Sequence, residues 1–123
     1  MQKTILITGG AGGMGKLLAK QCLKKGAKQV ILWDINETLL NETTAQLEKL
    51  RYKVHPYVVD VTNIKDIEWA AKDILTTIGK VDLVFNNAGI VVGKPFVNHS
   101  DAEMKRTIDI NVLGVMRVTK AFL

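Results

Sequence analysis

The chain has a single cysteine, Cys22, and a single serine, Ser100, among its 123 residues. One cysteine excludes an intrachain disulfide framework and agrees with a reducing compartment, so a cytoplasmic location is expected. No apolar run approaches the ~18 residues that span a bilayer. Met1-Gln2-Lys3 leads straight into a short apolar stretch without the architecture of a secretory signal, so neither a membrane nor a secretory role is expected. Aromatic residues are few, and the lysines are dispersed apart from pairs such as Lys24–Lys25. Without a basic stripe interleaved with aromatics, the net charge of +5 reads as a solvated surface, and no nucleic-acid partner is expected. His55 and His99 stand alone, without metal-ligand spacing, so no metal site is expected.

What is present alternates. Thr4-Ile5-Leu6-Ile7 is a short β-branched run of the kind that forms a buried strand. Met14, Leu17, Leu18 and Cys22 then fall at helical spacing, with Lys24, Lys25 and Gly26 as a stop signal. Gln29–Trp33 predicts a second strand ending at Asp34, and Asn36 a cap for a helix with Leu40, Leu47 and Leu50 on one face. Val54–Val61 predicts a third strand, placed at a sheet edge by Pro56. Thr62 is the expected cap of a third helix carrying Ile64, Ile67, Ala71, Ile74 and Ile78, ended by Gly79. Val81–Phe85 predicts a fourth strand running into Asn86-Asn87-Ala88-Gly89. Ser100-Asp101-Ala102-Glu103 is a capping box for a last helix, with Met104, Ile108, Val112, Val115, Thr119 and Phe122 expected on its buried side. The order βαβαβαβα implies an α/β fold with a parallel sheet covered on both faces, in one domain over residues 1–123.

Between the first strand and the first helix lie Gly9, Gly10, Gly12, Gly13 and Gly15. Glycine at that density is costly to order, so the loop answers a need for unusual backbone or close approach. Free N–H groups and the helix dipole at such a place favour a pyrophosphate. Two fingerprints overlap: Gly10-x-Gly12-x-x-Gly15, and Thr8-Gly9-x-x-x-Gly13-x-Gly15. An acid about 20 residues on is what a dinucleotide loop asks for, and Asp34 stands there. Its carboxylate suits the adenosine ribose hydroxyls and repels a 2′-phosphate, and no basic residue precedes Gly13, so NAD is expected over NADP. Lys16 is followed by Leu17 rather than Ser or Thr, which argues against an NTP-hydrolysing P-loop.

Thr8-Gly9-Gly10-Ala11-Gly12-Gly13-Met14-Gly15, Asp60-Val61, Asn86-Asn87-Ala88-Gly89 and Asn111-Val112-Leu113-Gly114 together resemble, in order and spacing, the signatures of the classical short-chain dehydrogenase/reductases. The resemblance implies a doubly wound Rossmann sheet of order 3-2-1-4-5-6-7, of which this chain would hold strands 3-2-1-4. It also implies Gly9, Gly13 and Gly15 as the fixed glycines, with Gly10 and Gly12 at variable positions. The backbone around Gly13 and Met14 would take the pyrophosphate, Asp34 the adenosine ribose, and Asp60 and Val61 the adenine, with Ile35 also among the cofactor-binding residues. The backbone of Asn86, Asn87, Ala88 and Gly89 would face the nicotinamide ribose, with Asn87 also propping the sheet. Asn111 matches the family's active-site asparagine, which holds a water in a proton relay.

The chain departs from the family at the proton donor. A tyrosine in Tyr-x-x-x-Lys is required, but Tyr52 is followed four residues later by Pro56 and Tyr57 by Val61. Ser100 is explained by the capping box. The expected reading is the cofactor-binding N-terminal half of an NAD-dependent oxidoreductase acting on a small alcohol or carbonyl substrate, homo-oligomeric when full length. The alternatives are a non-catalytic dinucleotide-binding or interaction module, and an inactive gene fragment. On the first reading the 123-residue chain alone shows no NAD-linked alcohol turnover in a spectrophotometric assay, and it is marginally soluble because strand four is left as a bare edge.

Overall fold

The chain forms one parallel sheet in the order β3-β2-β1-β4, seen in a computed structural model that describes residues 2–123. The elements are β1 (Thr4–Thr8), α1 (Gly13–Lys24), β2 (Gln29–Asp34), α2 (Glu37–Lys49), β3 (Val54–Val58), α3 (Ile64–Thr77) and β4 (Leu83–Phe85). A 3₁₀ turn at Phe96–Asn98 precedes α4 (Asp101–Ile108), a π-helical segment over Asp109–Gly114, and α5 (Val115–Ala121). Ile5 pairs with Val30 on one side and Leu83 on the other, which makes β1 the centre of the sheet. Its five residues are all buried, as expected for a parallel strand covered on both faces.

Alternation along the strands divides the core in two. Ile5, Ile7, Val30 and Leu32 pack on Ala19 and Leu23 of α1 and on Leu40 and Leu47 of α2. Leu6, Ile31 and Trp33 pack on Ile67, Ala70 and Ile74 of α3 and on Ile110 and Val118 of the last helical stretch. Pro56 lies on edge strand β3 opposite Leu32, where its missing N–H costs no ladder bond to an outer neighbour. After three strands laid to one side, the chain crosses to place β4 on the far side of β1. The ends of β1 and β4 therefore form the switch-point crevice in which open α/β sheets bind ligands.

Several local expectations are corrected. The buried side of α1 is Gly15, Ala19 and Leu23, with Leu18 and Cys22 alongside, while Met14 and Leu17 face solvent. Leu50 is the C-cap of α2 and exposed. Asn63, not Thr62, caps α3, accepting from the N–H groups of Lys65 and Asp66, because the Thr62 hydroxyl donates instead to Asp60 Oδ1 at 2.7 Å. β3 stops at Val58 because its partner β2 ends at Asp34, and Val59 and Val61 turn inward instead. β4 starts at Leu83, since the Asp82 carboxylate accepts the Thr4 N–H at 2.9 Å.

The largest correction concerns the last helical stretch. Ile110, Gly114 and Val118 are its buried residues, whereas Met104, Ile108 and Val112 are exposed. Two apolar stripes run along this sequence, and the wide turn of the π segment shifts which one meets the sheet. Phe122 does pack inward, its ring 5.7 Å from Trp33.

Candidate functional site

A cleft of about 470 Å³ opens at the carboxyl end of the sheet, a volume that suits a small organic ligand. Gly9, Gly13, Met14, Gly15, Asp34, Ile35, Asp60, Val61, Asn87, Ala88 and Gly89 all line it. Every residue expected to touch the cofactor is thus gathered from four separate strand ends into one place. Asn111 is not among the lining residues.

The glycine loop is shaped by close packing. Gly9 has φ +64°, a left-handed conformation that suits glycine, and a Cβ there would meet Ala88 Cα at 3.0 Å. A Cβ on Gly15 would overlap the Gly9 carbonyl oxygen and sit 2.9 Å from Asn87 Nδ2. Gly10, which the fingerprint leaves variable, is constrained as well: a Cβ would lie 2.8 Å from Leu32 Cδ2. Gly13 is the opposite case. Beyond its chain neighbours and the backbone of its own helix, nothing lies within 4 Å of its Cβ position, yet it lines the cleft. Its bareness serves whatever enters from outside. The N-terminus of α1 is open too, because Gly12 gives no side-chain cap and the first turn carries no acid. Unpaired N–H groups, the positive end of the helix dipole and a bare Cα together fit an anionic pyrophosphate.

Asp34 does two things. Its Oδ2 accepts the Ala11 N–H at 3.0 Å and its Oδ1 the Asn36 N–H at 2.9 Å, so it pins the loop to the end of β2. Each carboxylate oxygen can accept more than one bond, which leaves capacity for ribose hydroxyls. Asp60 is similar: Oδ1 takes the Thr62 N–H and hydroxyl, and Oδ2 stays open.

Thr8 organises the junction between the end of β1 and the turn after β4. Its buried hydroxyl accepts the N–H groups of Asn87 and Ala88, each at 3.0 Å. Asn87 Nδ2 donates to the Gly9 carbonyl at 3.2 Å, which braces the glycine loop. Asn111 is engaged at both ends: Oδ1 accepts from Ile90 N at 2.9 Å and Nδ2 donates to Ile90 O at 2.8 Å. In this chain its side chain therefore positions the backbone after β4 from within the π segment, a helix distortion that recurs at functional sites.

Arg117 donates to Asp109 Oδ1 at 2.6 Å across that segment and reaches the Val61 carbonyl at 3.4 Å. Sequence reasoning singled out neither the Thr8 hydroxyl nor Ile110 and Arg106, which also line the cleft. Stepping back by four from Gly114 of the Asn-Val-Leu-Gly motif would have found the last two.

The remaining titratable candidates lie elsewhere. The Tyr57 hydroxyl donates to Asp73 Oδ2 at 2.6 Å, and burial followed by that bond pushes its pKa up to about 12. It is a poor proton donor and is not part of the cleft lining. Burial raises the Cys22 thiol, which keeps it unreactive. His55 Nε2 donates to Gln29 Oε1 at 2.9 Å, and burial lowers its pKa. Ser100 caps α4 as expected, in a reciprocal pair with Glu103. No cluster that could hold a metal ion occurs among the described residues, and none of their helices is long and apolar enough to cross a membrane.

Comparison with known proteins agrees with this architecture. Estradiol 17-beta-dehydrogenase 11 of Pongo abelii is 42% identical over 97% of the chain, which spans 39% of that protein's length. A xylitol dehydrogenase solved with NAD+ bound superposes with a TM-score of 0.91 at 29% identity, over 98% of this chain and 46% of its own. An alcohol dehydrogenase from the archaeon Thermococcus sibiricus, solved with 5-hydroxy-NADP, also reaches 0.91 at 29% identity, over 99% of this chain and 52% of its own. The family model for short chain dehydrogenases matches residues 3–123. The protein therefore belongs to the short-chain dehydrogenase family.

Proposed function

We propose that this chain is the cofactor-binding part of an oxidoreductase that moves a hydride between a nicotinamide dinucleotide and a carbon bearing a hydroxyl or carbonyl, and that it takes NAD(H) in preference to NADP(H). The observation that carries the preference is Asp34. Its carboxylate lines the cleft at the end of β2, beside a glycine loop with no basic residue. A 2′-phosphate placed there would meet a like charge, whereas ribose hydroxyls would meet an acceptor. When bound, the nicotinamide supplies or accepts the hydride. The chain's own residues do the rest: the α1 N-terminus holds the pyrophosphate, Asp34 orients the ribose, and Thr8 with Asn87 and Asn111 fixes the backbone beside the nicotinamide. The reading extends to a small alcohol or carbonyl substrate and a cytoplasmic location. It also extends to a homo-oligomeric intact protein, for which the uncovered Met104, Ile108 and Val112 offer a face.

Calorimetric titration tests the preference. NADH is expected to bind at least about tenfold more tightly than NADPH, a difference of roughly 1.4 kcal/mol. Asp34→Ala is expected to narrow that ratio. The same substitution frees the N–H groups of Ala11 and Asn36 and loosens the loop for both cofactors alike, so the ratio is the measurement to read. Equal affinities in the unsubstituted chain would overturn the preference.

A further inference from the structure

The stretch from α4 to α5 presents a stripe at four-residue steps. Ile110, Gly114 and Val118 are its buried members, and Gly114 is so close to Val61 that a Cβ would lie 3.0 Å from Val61 Cγ2. One step back along the stripe is Arg106. It is exposed, it lines the cleft together with Ile110, and its guanidinium has no carboxylate within ion-pair distance among the described residues. It stands one helical turn before Ile110, roughly 5–6 Å along the axis, and joins the cleft lining from the same stripe.

Two features of that lining bear on its role. Arg106 shares the cleft with the aliphatic side chains of Val61 and Ile110 and with the exposed side chain of Ile35. Asp34 and Asp60 line the same cleft, yet Arg106 closes on neither. A cation that shares a cleft with two carboxylates and pairs with neither leaves room for a ligand between them. A flat heteroaromatic ring fits a slot with aliphatic sides, and a planar guanidinium stacks on such a ring where a lysine could not.

Resting on the dinucleotide reading, we propose that Arg106 is a cofactor-binding residue that lays its guanidinium on the exposed face of the adenine, with Val61 and Ile110 beneath. The test is calorimetric titration of the unsubstituted chain and Arg106→Ala with NADH, 5′-AMP and reduced nicotinamide mononucleotide. The two mononucleotides each carry one phosphate, so a general effect of charge moves both, whereas adenine stacking moves only AMP. Arg106→Ala is expected to weaken AMP and NADH by the same factor, about three- to tenfold, and to leave the nicotinamide mononucleotide unchanged. The melting temperature of the unliganded chain is expected to stay put, because the exposed Arg106 side chain makes no hydrogen bond or ion pair among the described residues. Unchanged AMP affinity, or equal losses for the two mononucleotides, overturns the role of Arg106 alone. Failure of the unsubstituted chain to bind NADH or NADPH overturns the dinucleotide reading, and this proposal with it.

Discussion

Gly15→Ala is expected to abolish measurable NADH binding and to lower the melting temperature, although the substitution sits in a helix. By propensity alone, alanine should stabilise an α1 position by about 1 kcal/mol over glycine. The packing reverses the sign. The added methyl would occupy the space of the Gly9 carbonyl oxygen and press on Gly10 Cα, 2.9 Å away. That carbonyl accepts the Gly12 N–H and Asn87 Nδ2, both at 3.2 Å, so displacing it unmakes the bonds that shape the loop. Overpacking of this kind costs typically about 1–3 kcal/mol. Gly13→Ala is the paired measurement. With nothing within 4 Å of the new methyl beyond its chain neighbours and its own helix backbone, thermal stability should hold or rise while NADH affinity falls. NADH binding by Gly15→Ala as tight as in the unsubstituted chain would contradict the packing described for the loop.

Thr8→Val should destabilise the chain by about 2–5 kcal/mol, a large share of the ~5–15 kcal/mol that holds a domain together. Valine matches threonine in shape and is itself a good strand residue, so β1 has no reason to reject it sterically. The loss comes from the hydroxyl. Thr8 is 1% exposed, and its Oγ1 is the acceptor for both Asn87 N–H and Ala88 N–H. Removing it leaves two main-chain donors without a partner where water has little access, at about 1–3 kcal/mol each. Thr8→Ser keeps the acceptor and should retain most of the stability. Urea unfolding of the three proteins measures this directly, and a valine variant with an unchanged midpoint would show that Thr8 does not tie β1 to the end of β4.

Legibility in the sequence followed the kind of information each feature rests on. The strands, helices and their order could be read because buried strands and amphipathic helices leave local periodicity, and because Pro56 marks an edge. The residues that line the cleft could be read because close backbone approach and a carboxylate at a strand end demand particular residue types at particular spacings. Helix faces were read less well. Met14 and Leu17 look like core residues by spacing but face solvent, Met14 in the lining of the cleft. In the last helical stretch, periodicity could not choose between two apolar stripes, because the π segment that decides between them has no strong local signature.

The sequence by itself determined the α/β alternation, the strand order through its motifs, and the set of residues that meet at the carboxyl end of the sheet. Each of these depends on residue type and short-range spacing. The tertiary structure alone decided what those residues do to one another. It put the Gly9 carbonyl against Gly15, gave Gly10 a neighbour in Leu32, spent both ends of the Asn111 amide on Ile90, and carried Arg106 into the lining of the cleft. Apart from the Gly9–Gly15 contact, which lies within one loop, those outcomes depend on contacts between segments about twenty or more residues apart, and their distances exist only once the sheet has brought the strand ends together.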